Sequence, residues 1–192
     1  MVDLHLNEVY LKISNKGMAS IPVNMARMFG LALCIFNVLL STSLYPWYNL
    51  IVFLSNELII LTIVQIVLSL YLTNFTLEKR NNLLAAYHML TEINLGLHMC
   101  ACITFWTLLR PIVFEEDKDE KMKLINTCCL HSFPQIAFLI DFMNSETKLV
   151  AWHGPYLMVP FTLAYGLVNY FFTIFVRQRN VYFFLPWMDS TV

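Results

Sequence analysis

Five long apolar blocks, each near the length that crosses a lipid bilayer, decide what this chain can fold into. They run from about Met28 to Tyr45, Asn56 to Leu72, Leu83 to Leu109, Lys123 to Met143 and Leu149 to Val176. A helix needs about 20 mostly apolar residues to cross the hydrocarbon core. Composition agrees, since 58% of the 192 residues are hydrophobic and 13% charged, against about 25% charged in a soluble domain. The sequence therefore predicts an all-α polytopic integral membrane bundle of about five transmembrane helices over 28–176. A polar N-terminal segment, 1–27, precedes it and an interfacial C-terminal tail, 177–192, follows.

The breaks between blocks have physical causes. Pro46 in Tyr45-Pro46-Trp47 lacks a backbone donor and steers its predecessor out of the helical region, ending the first block. Glu78-Lys79-Arg80-Asn81-Asn82 separates the second block from the third, Arg110-Pro111 closes the third, and Asn144-Ser145-Glu146 closes the fourth. The charged run from Glu115 to Lys123 reads as a solvated loop. Residues 1–27 hold no compact apolar run followed by a cleavage site, so the first span is expected to insert the chain. The tail VYFFLPWM is too short to cross and rich in the rings that favour the headgroup level.

Basic residues do not orient the chain. Lys12, Lys16, Arg27, Lys79, Arg80 and Lys148 fall on one side of a five-helix arrangement, and Arg110, Lys118, Lys121, Lys123, Arg177 and Arg179 on the other, which is a tie under the positive-inside rule. The formal charge of -1 offers no basic patch for nucleic acid. Cys34, Cys100, Cys102, Cys128 and Cys129 all lie inside predicted spans, where they read as small apolar residues. Their spacing fits neither a zinc site nor a disulfide framework. Asn74-Phe75-Thr76 matches a glycosylation acceptor only formally, lying against the end of a span.

Polar side chains in a bilayer are costly and mark candidate sites. The second block carries Ser55, Thr62, Gln65 and Ser69 at spacings of seven, three and four, one face of a 3.6-residue helix. The third carries His88, Thr91, Glu92 and His98, with His88 and Glu92 as i, i+4 neighbours. The fourth carries Asn126, Thr127, His131, Pro134 and Asp141, where Pro134 is expected to kink the helix beside His131. Asp141 lies near a helix end and reads as interfacial.

A hydroxyl becomes a nucleophile when a neighbouring base takes its proton. Thr62 and His131 on adjacent helices can form that pair. Gln65, beside Thr62, and Asn126, Glu92 or His98 can orient the imidazole or donate to a developing oxyanion, and the substrate is then an apolar ester reached from lipid. No cofactor is called for, and His88, His98 and His131 lack the i, i+4 spacing of helical metal motifs. The same stripes fit a non-enzymatic scaffold or subunit, in which hydroxyls and amides join helices. A small channel or carrier requires a continuous polar path.

Several local patterns stand in a fixed order: Leu61-Thr62-Ile63-Val64-Gln65, then Phe105-Trp106, then Asn126, His131, Pro134 and Asp141, then Tyr182 to Pro186. That order resembles the androgen-induced-gene-like membrane proteins, multi-pass hydrolases of fatty acid esters of hydroxy fatty acids. The resemblance implies that Thr62 is the nucleophile and His131 the catalytic histidine, that the partners are lipid esters and membrane lipids, and that the setting is the endoplasmic reticulum or another internal membrane. Thr127 stands where the family carries an extra histidine, and Ile59 where it carries a lysine. Asp141 is ten residues from His131, about 15 Å along a helix, and so cannot orient that ring.

Overall fold

The apolar blocks form helices because a bilayer offers no partner to a bare N–H or C=O, and a helix satisfies both within one segment. The computed structural model describes residues 21–46, 48, 53–74, 80–116, 119–145 and 153–177. Among these, all regular structure is helical. Helix α1 spans Ile21–Leu44, α2 Leu54–Asn74 and α3 Arg80–Thr104. A π-helical turn, Phe105–Leu109, joins α3 to α4, Arg110–Glu116; then follow α5 (Lys121–Leu130), α6 (Phe133–Asn144), α7 (His153–Phe171) and a second π turn, Phe172–Arg177.

Four of these runs are long and apolar enough to cross a membrane: Pro22–Leu44, Leu54–Thr73, Leu83–Glu115 and Tyr156–Val176. The chain is a multi-pass helical membrane protein. The fourth predicted span is present as two half-length helices, α5 and α6, broken at His131-Ser132. The expected proline is the cause. Pro134 occupies the first turn of α6 and has no N–H for the carbonyl of Leu130, so the chain turns there. Ser132 N–H folds back to the Cys129 carbonyl at 3.2 Å, and α6 restarts with Ile136 N–H on the Ser132 carbonyl at 3.0 Å.

Two boundaries differ from the sequence reading. Arg110-Pro111 does not end the third span: the helical run continues through Pro111 into α4. The π turn re-phases the ladder ahead of it, Arg110 N–H reaching back to the Phe105 carbonyl. The first helix begins at Ile21, which places Arg27 inside it and not in a flanking loop. The first block does end before Pro46, as expected. The tail after Arg177, the Tyr182–Pro186 segment, Asn74-Phe75-Thr76 as a unit and residues 1–20 lie outside the described residues.

Helix α1 packs closely on α6. A Cβ on Gly30 would sit 3.2 Å from both the Cα and the Cβ of Ala137, so the two backbones meet as small-residue interfaces in membranes allow. Cys34, Ile59, Ile66 and Ala137 form the apolar core beside that contact. A second cluster, Leu72, Leu84 and Tyr87, joins the end of α2 to the start of α3.

Candidate functional site

The stripe on α2 faces protein. Thr62, Gln65 and Ser69 are buried and Ser55 is half-buried. Opposite them, α3 and the α5–α6 run place polar and aromatic side chains in three layers.

In the first layer Ser55 Oγ lies 3.5 Å from His131 Nε2. The imidazole lies flat on Phe105, with ring centroids 3.5 Å apart and planes 7° from parallel. In the second, about two helical turns further along α2, Thr62 Oγ1 is 2.8 Å from His98 Nε2, and His98 stacks on Phe138 at 5.0 Å. The third centres on Asp141. Its Oδ1 accepts from Arg27 Nε at 2.8 Å, and its Oδ2 accepts from Gln65 Nε2 at 2.9 Å and from the Tyr87 hydroxyl at 2.8 Å. Gln65 Oε1 in turn accepts from Asn94 Nδ2 at 2.7 Å.

This layering corrects the expected pairing. Ser55–His131 and Gln65–Asp141 are each separated by 76 residues, so α2 and the α5–α6 run share one parallel register. The residue level with Thr62 is then Phe138, and His131 lies seven residues nearer the start of α2, about 10 Å away. The imidazole on Thr62 comes from α3.

The supporting residues are also distributed differently. Gln65 does not steady Thr62, since its amide bridges Asp141 and Asn94. Asn126 does not orient His131. It lies more than a turn before that residue, and its Oδ1 accepts from Ser41 on α1 at 3.0 Å. Glu92 pairs with His88 at 3.1 Å, as the i, i+4 spacing predicts, and both are buried. Asp141 is fully buried, not interfacial. The carboxylate enters the bundle because Arg27 meets it there, a cation that the sequence reading had placed outside the first span. It remains too far from His131 to orient it, as the helix rise requires.

Three residues of the central network, Arg27, Tyr87 and Asn94, were not singled out from sequence. A signal for two of them existed. Tyr87, Thr91, Asn94 and His98 on α3 and Phe105 just after it recur at spacings of four, three, four and seven, the same one-face rule that picks out the α2 stripe, and all five are buried.

Protons decide what the two hydroxyl–imidazole pairs can do. A hydroxyl has one hydrogen. Thr62 Oγ1 also lies 2.7 Å from the carbonyl of Leu58, one turn back. When Thr62 donates to that carbonyl, His98 Nε2 carries a proton and donates to Thr62; when Thr62 donates to His98, Nε2 is the acceptor and is poised as a base. Among the described residues, Nδ1 of His98 and Nδ1 of His131 are both buried without a hydrogen-bond partner. No cluster of three His, Cys, Asp or Glu side chains suited to a metal ion occurs among the described residues.

Comparison with known proteins finds no relative: no family model matches the chain, and neither a curated protein sequence nor a solved structure is significantly similar to it.

Proposed function

We propose that this membrane protein hydrolyses lipid esters, with fatty acid esters of hydroxy fatty acids as the substrate class, and that Thr62 is its nucleophile. The observation that carries this reading is the 2.8 Å contact between Thr62 Oγ1 and His98 Nε2 inside the bundle. Hydroxyl and imidazole there have the separation that general-base activation needs. Thr62 attacks the ester carbonyl and passes its proton to His98. The alcohol leaves with that proton, and water releases the acyl group from Thr62. His98 thus takes the part that the resemblance gives to His131. An internal membrane such as the endoplasmic reticulum is the setting in which such esters would reach the site from lipid.

The test is hydrolysis of such an ester by the full chain in lipid nanodiscs. Removing a general base costs about 10²- to 10⁴-fold, so Thr62→Val and His98→Gln should each lose at least 100-fold while the protein remains inserted and monodisperse. Undiminished turnover by Thr62→Val would remove the assignment. Loss in His131→Gln but not in His98→Gln would return the base to His131.

One observation favours a second reading. The Thr62–Leu58 contact of 2.7 Å is the ordinary way a threonine satisfies itself in a helix. In a scaffold or subunit, Thr62 and His98 would then only join α2 to α3. That reading expects Thr62→Val to lower stability in a protein with no esterase activity to lose.

A further inference from the structure

We propose that Ser55 and His131 form a second nucleophile–base pair, which accepts acyl groups at the start of α2, two turns from Thr62.

Three observations converge on it. First, the Ser55 hydroxyl is not claimed by its own helix. Ser55 is the second residue of α2, and among the described residues no carbonyl accepts its hydroxyl, whereas Thr62 has Leu58 one turn back. His131 Nε2 at 3.5 Å is the side-chain partner of Ser55, a separation within the looser range of a substrate-free site. Second, the imidazole is held in a fixed plane. Phe105 lies flat on it at 3.5 Å, and Phe105 opens the π turn that re-phases α3; such turns recur at functional positions. The backbone of His131 is held too, as the cap of α5 with its N–H on the Thr127 carbonyl at 3.2 Å. Third, His131 Nδ1 is buried without a partner among the described residues, in a side chain only 8% exposed. A packing histidine would have both nitrogens satisfied.

The start of α2 supplies the remaining element. First-turn N–H groups have no helical acceptor. Those of Asn56 and Glu57 turn to the Phe53 carbonyl, at 2.9 and 3.2 Å, and the positive end of the helix dipole lies beside Ser55. That dipole favours negative charge developing on an ester oxygen, the two N–H groups themselves being engaged by Phe53. Ser55 is also half-buried where Thr62 is fully buried, so its hydroxyl is the more accessible of the two.

Ser55 Oγ bonds to the carbonyl carbon of a carboxylic ester whose chain lies in the bilayer, and its proton passes to His131 Nε2. The carbon–oxygen bond to the alcohol breaks, and the alcohol leaves with that proton. Water, deprotonated by His131, then cleaves the acyl–Ser55 bond to give a carboxylic acid and restores the serine.

The assignment does not depend on Thr62. It is tested by treating the full chain in nanodiscs with a fluorophosphonate bearing an alkyl chain, and locating the adduct by peptide mass spectrometry. The adduct is expected on Ser55 in wild type and in Thr62→Val. It should be absent in Ser55→Ala and slowed at least ~10-fold in His131→Gln. His131→Asn serves as the second variant if His131→Gln is not monodisperse. An adduct confined to Thr62 would overturn the Ser55 assignment and leave the first reading standing. One confined to Ser55 would do the reverse, and a folded wild type without any adduct would overturn both. Labelling of Ser55 at an unchanged rate in both histidine variants would also overturn the pair.

Discussion

Replacing Asp141 with alanine should be among the most damaging single changes in this protein. The carboxylate is fully buried and accepts three hydrogen bonds, from Arg27 on α1, Gln65 on α2 and Tyr87 on α3. Removing one member of a buried ion pair costs about 3–5 kcal/mol, because the other charge is left uncompensated. Gln65 Nε2 and the Tyr87 hydroxyl would also lose an acceptor, and each buried donor left bare costs about 1–3 kcal/mol. These terms are not additive, and a loss of about 5 kcal/mol is a fair expectation. At about 2–4 °C per kcal/mol for a chain of this size, the melting temperature in detergent or nanodiscs should fall by about 10–20 °C.

Asp141→Asn should be milder, for a reason visible in the network. Its Oδ1 still accepts from Arg27, and the Tyr87 hydroxyl can turn to accept from the new amide. Gln65 can flip to do likewise, provided Asn94 flips with it. Among the described residues Asn94 Oδ1 is buried without a partner and would then receive Gln65 Nε2. The Arg27 charge is left without its counter-charge, as in the alanine variant, so what asparagine spares is the cost of bare Gln65 and Tyr87 donors, about 1–3 kcal/mol each. The double variant Arg27→Met with Asp141→Leu should recover at least half of the alanine loss, since apolar pairs replace buried ion pairs well. Asp141→Ala melting within about 3 °C of wild type would refute the reasoning.

Other expectations follow from packing. Gly30→Ala should destabilise by about 1–3 kcal/mol, because its new methyl meets the backbone of Ala137 at 3.2 Å. Gly96→Ala meets only the flexible end of Met158 and should cost less. Gly166→Ala, with nothing within 4 Å, should raise stability by up to about 1 kcal/mol through helix propensity; thermal melts that reverse the order Gly30, Gly96, Gly166 would contradict the α1–α6 contact. Phe105→Ala should cost about 3–5 kcal/mol, since Phe105 is 2% exposed and stacked on His131. Its neighbour Trp106 is 36% exposed, and truncating it should cost less in the same assay. Lys123→Ala removes an exposed pair with Glu120 that contributes less than about 1 kcal/mol, and loss of that pair should lower the melting temperature by no more than about 4 °C.

The helices were legible in the sequence because their signal is local. Block length sets the spans, Pro46 ends the first, and the seven-three-four spacing puts Ser55, Thr62, Gln65 and Ser69 on one face. That face is turned to protein. The partner of each residue was not legible, because periodicity fixes a face and not a depth. Serine and threonine on α2, His98 and Phe105 on α3, and His131 and Phe138 on the fourth span all repeat at seven residues. Sliding one helix by two turns therefore swaps Ser55 for Thr62 opposite His131 without moving any side chain off its face. The buried ion pair was hidden for a related reason: Arg27 stands at the edge of the first block, where a cation reads as a flanking charge, and only tertiary packing brings it to Asp141.

What selects one register is the third layer. Apolar packing against lipid-like neighbours discriminates weakly between registers in a membrane, where small residues and polar contacts set the fit. A slip of α2 by one turn would leave the Ser55 and Thr62 contacts to be remade with other side chains, but it would strip Gln65 from the carboxylate that also holds Arg27 and Tyr87. The offset that seats Gln65 on Asp141 is the same offset that seats Ser55 on His131. Layers of different character are thus coupled through rigid helices. Asp141→Ala protein that still inserts is therefore expected to lose probe labelling at Ser55 as well as stability, while Asp141→Asn retains labelling. Equal labelling of Ser55 in wild type and in an inserted but destabilised Asp141→Ala protein would show that something other than the buried carboxylate sets the register.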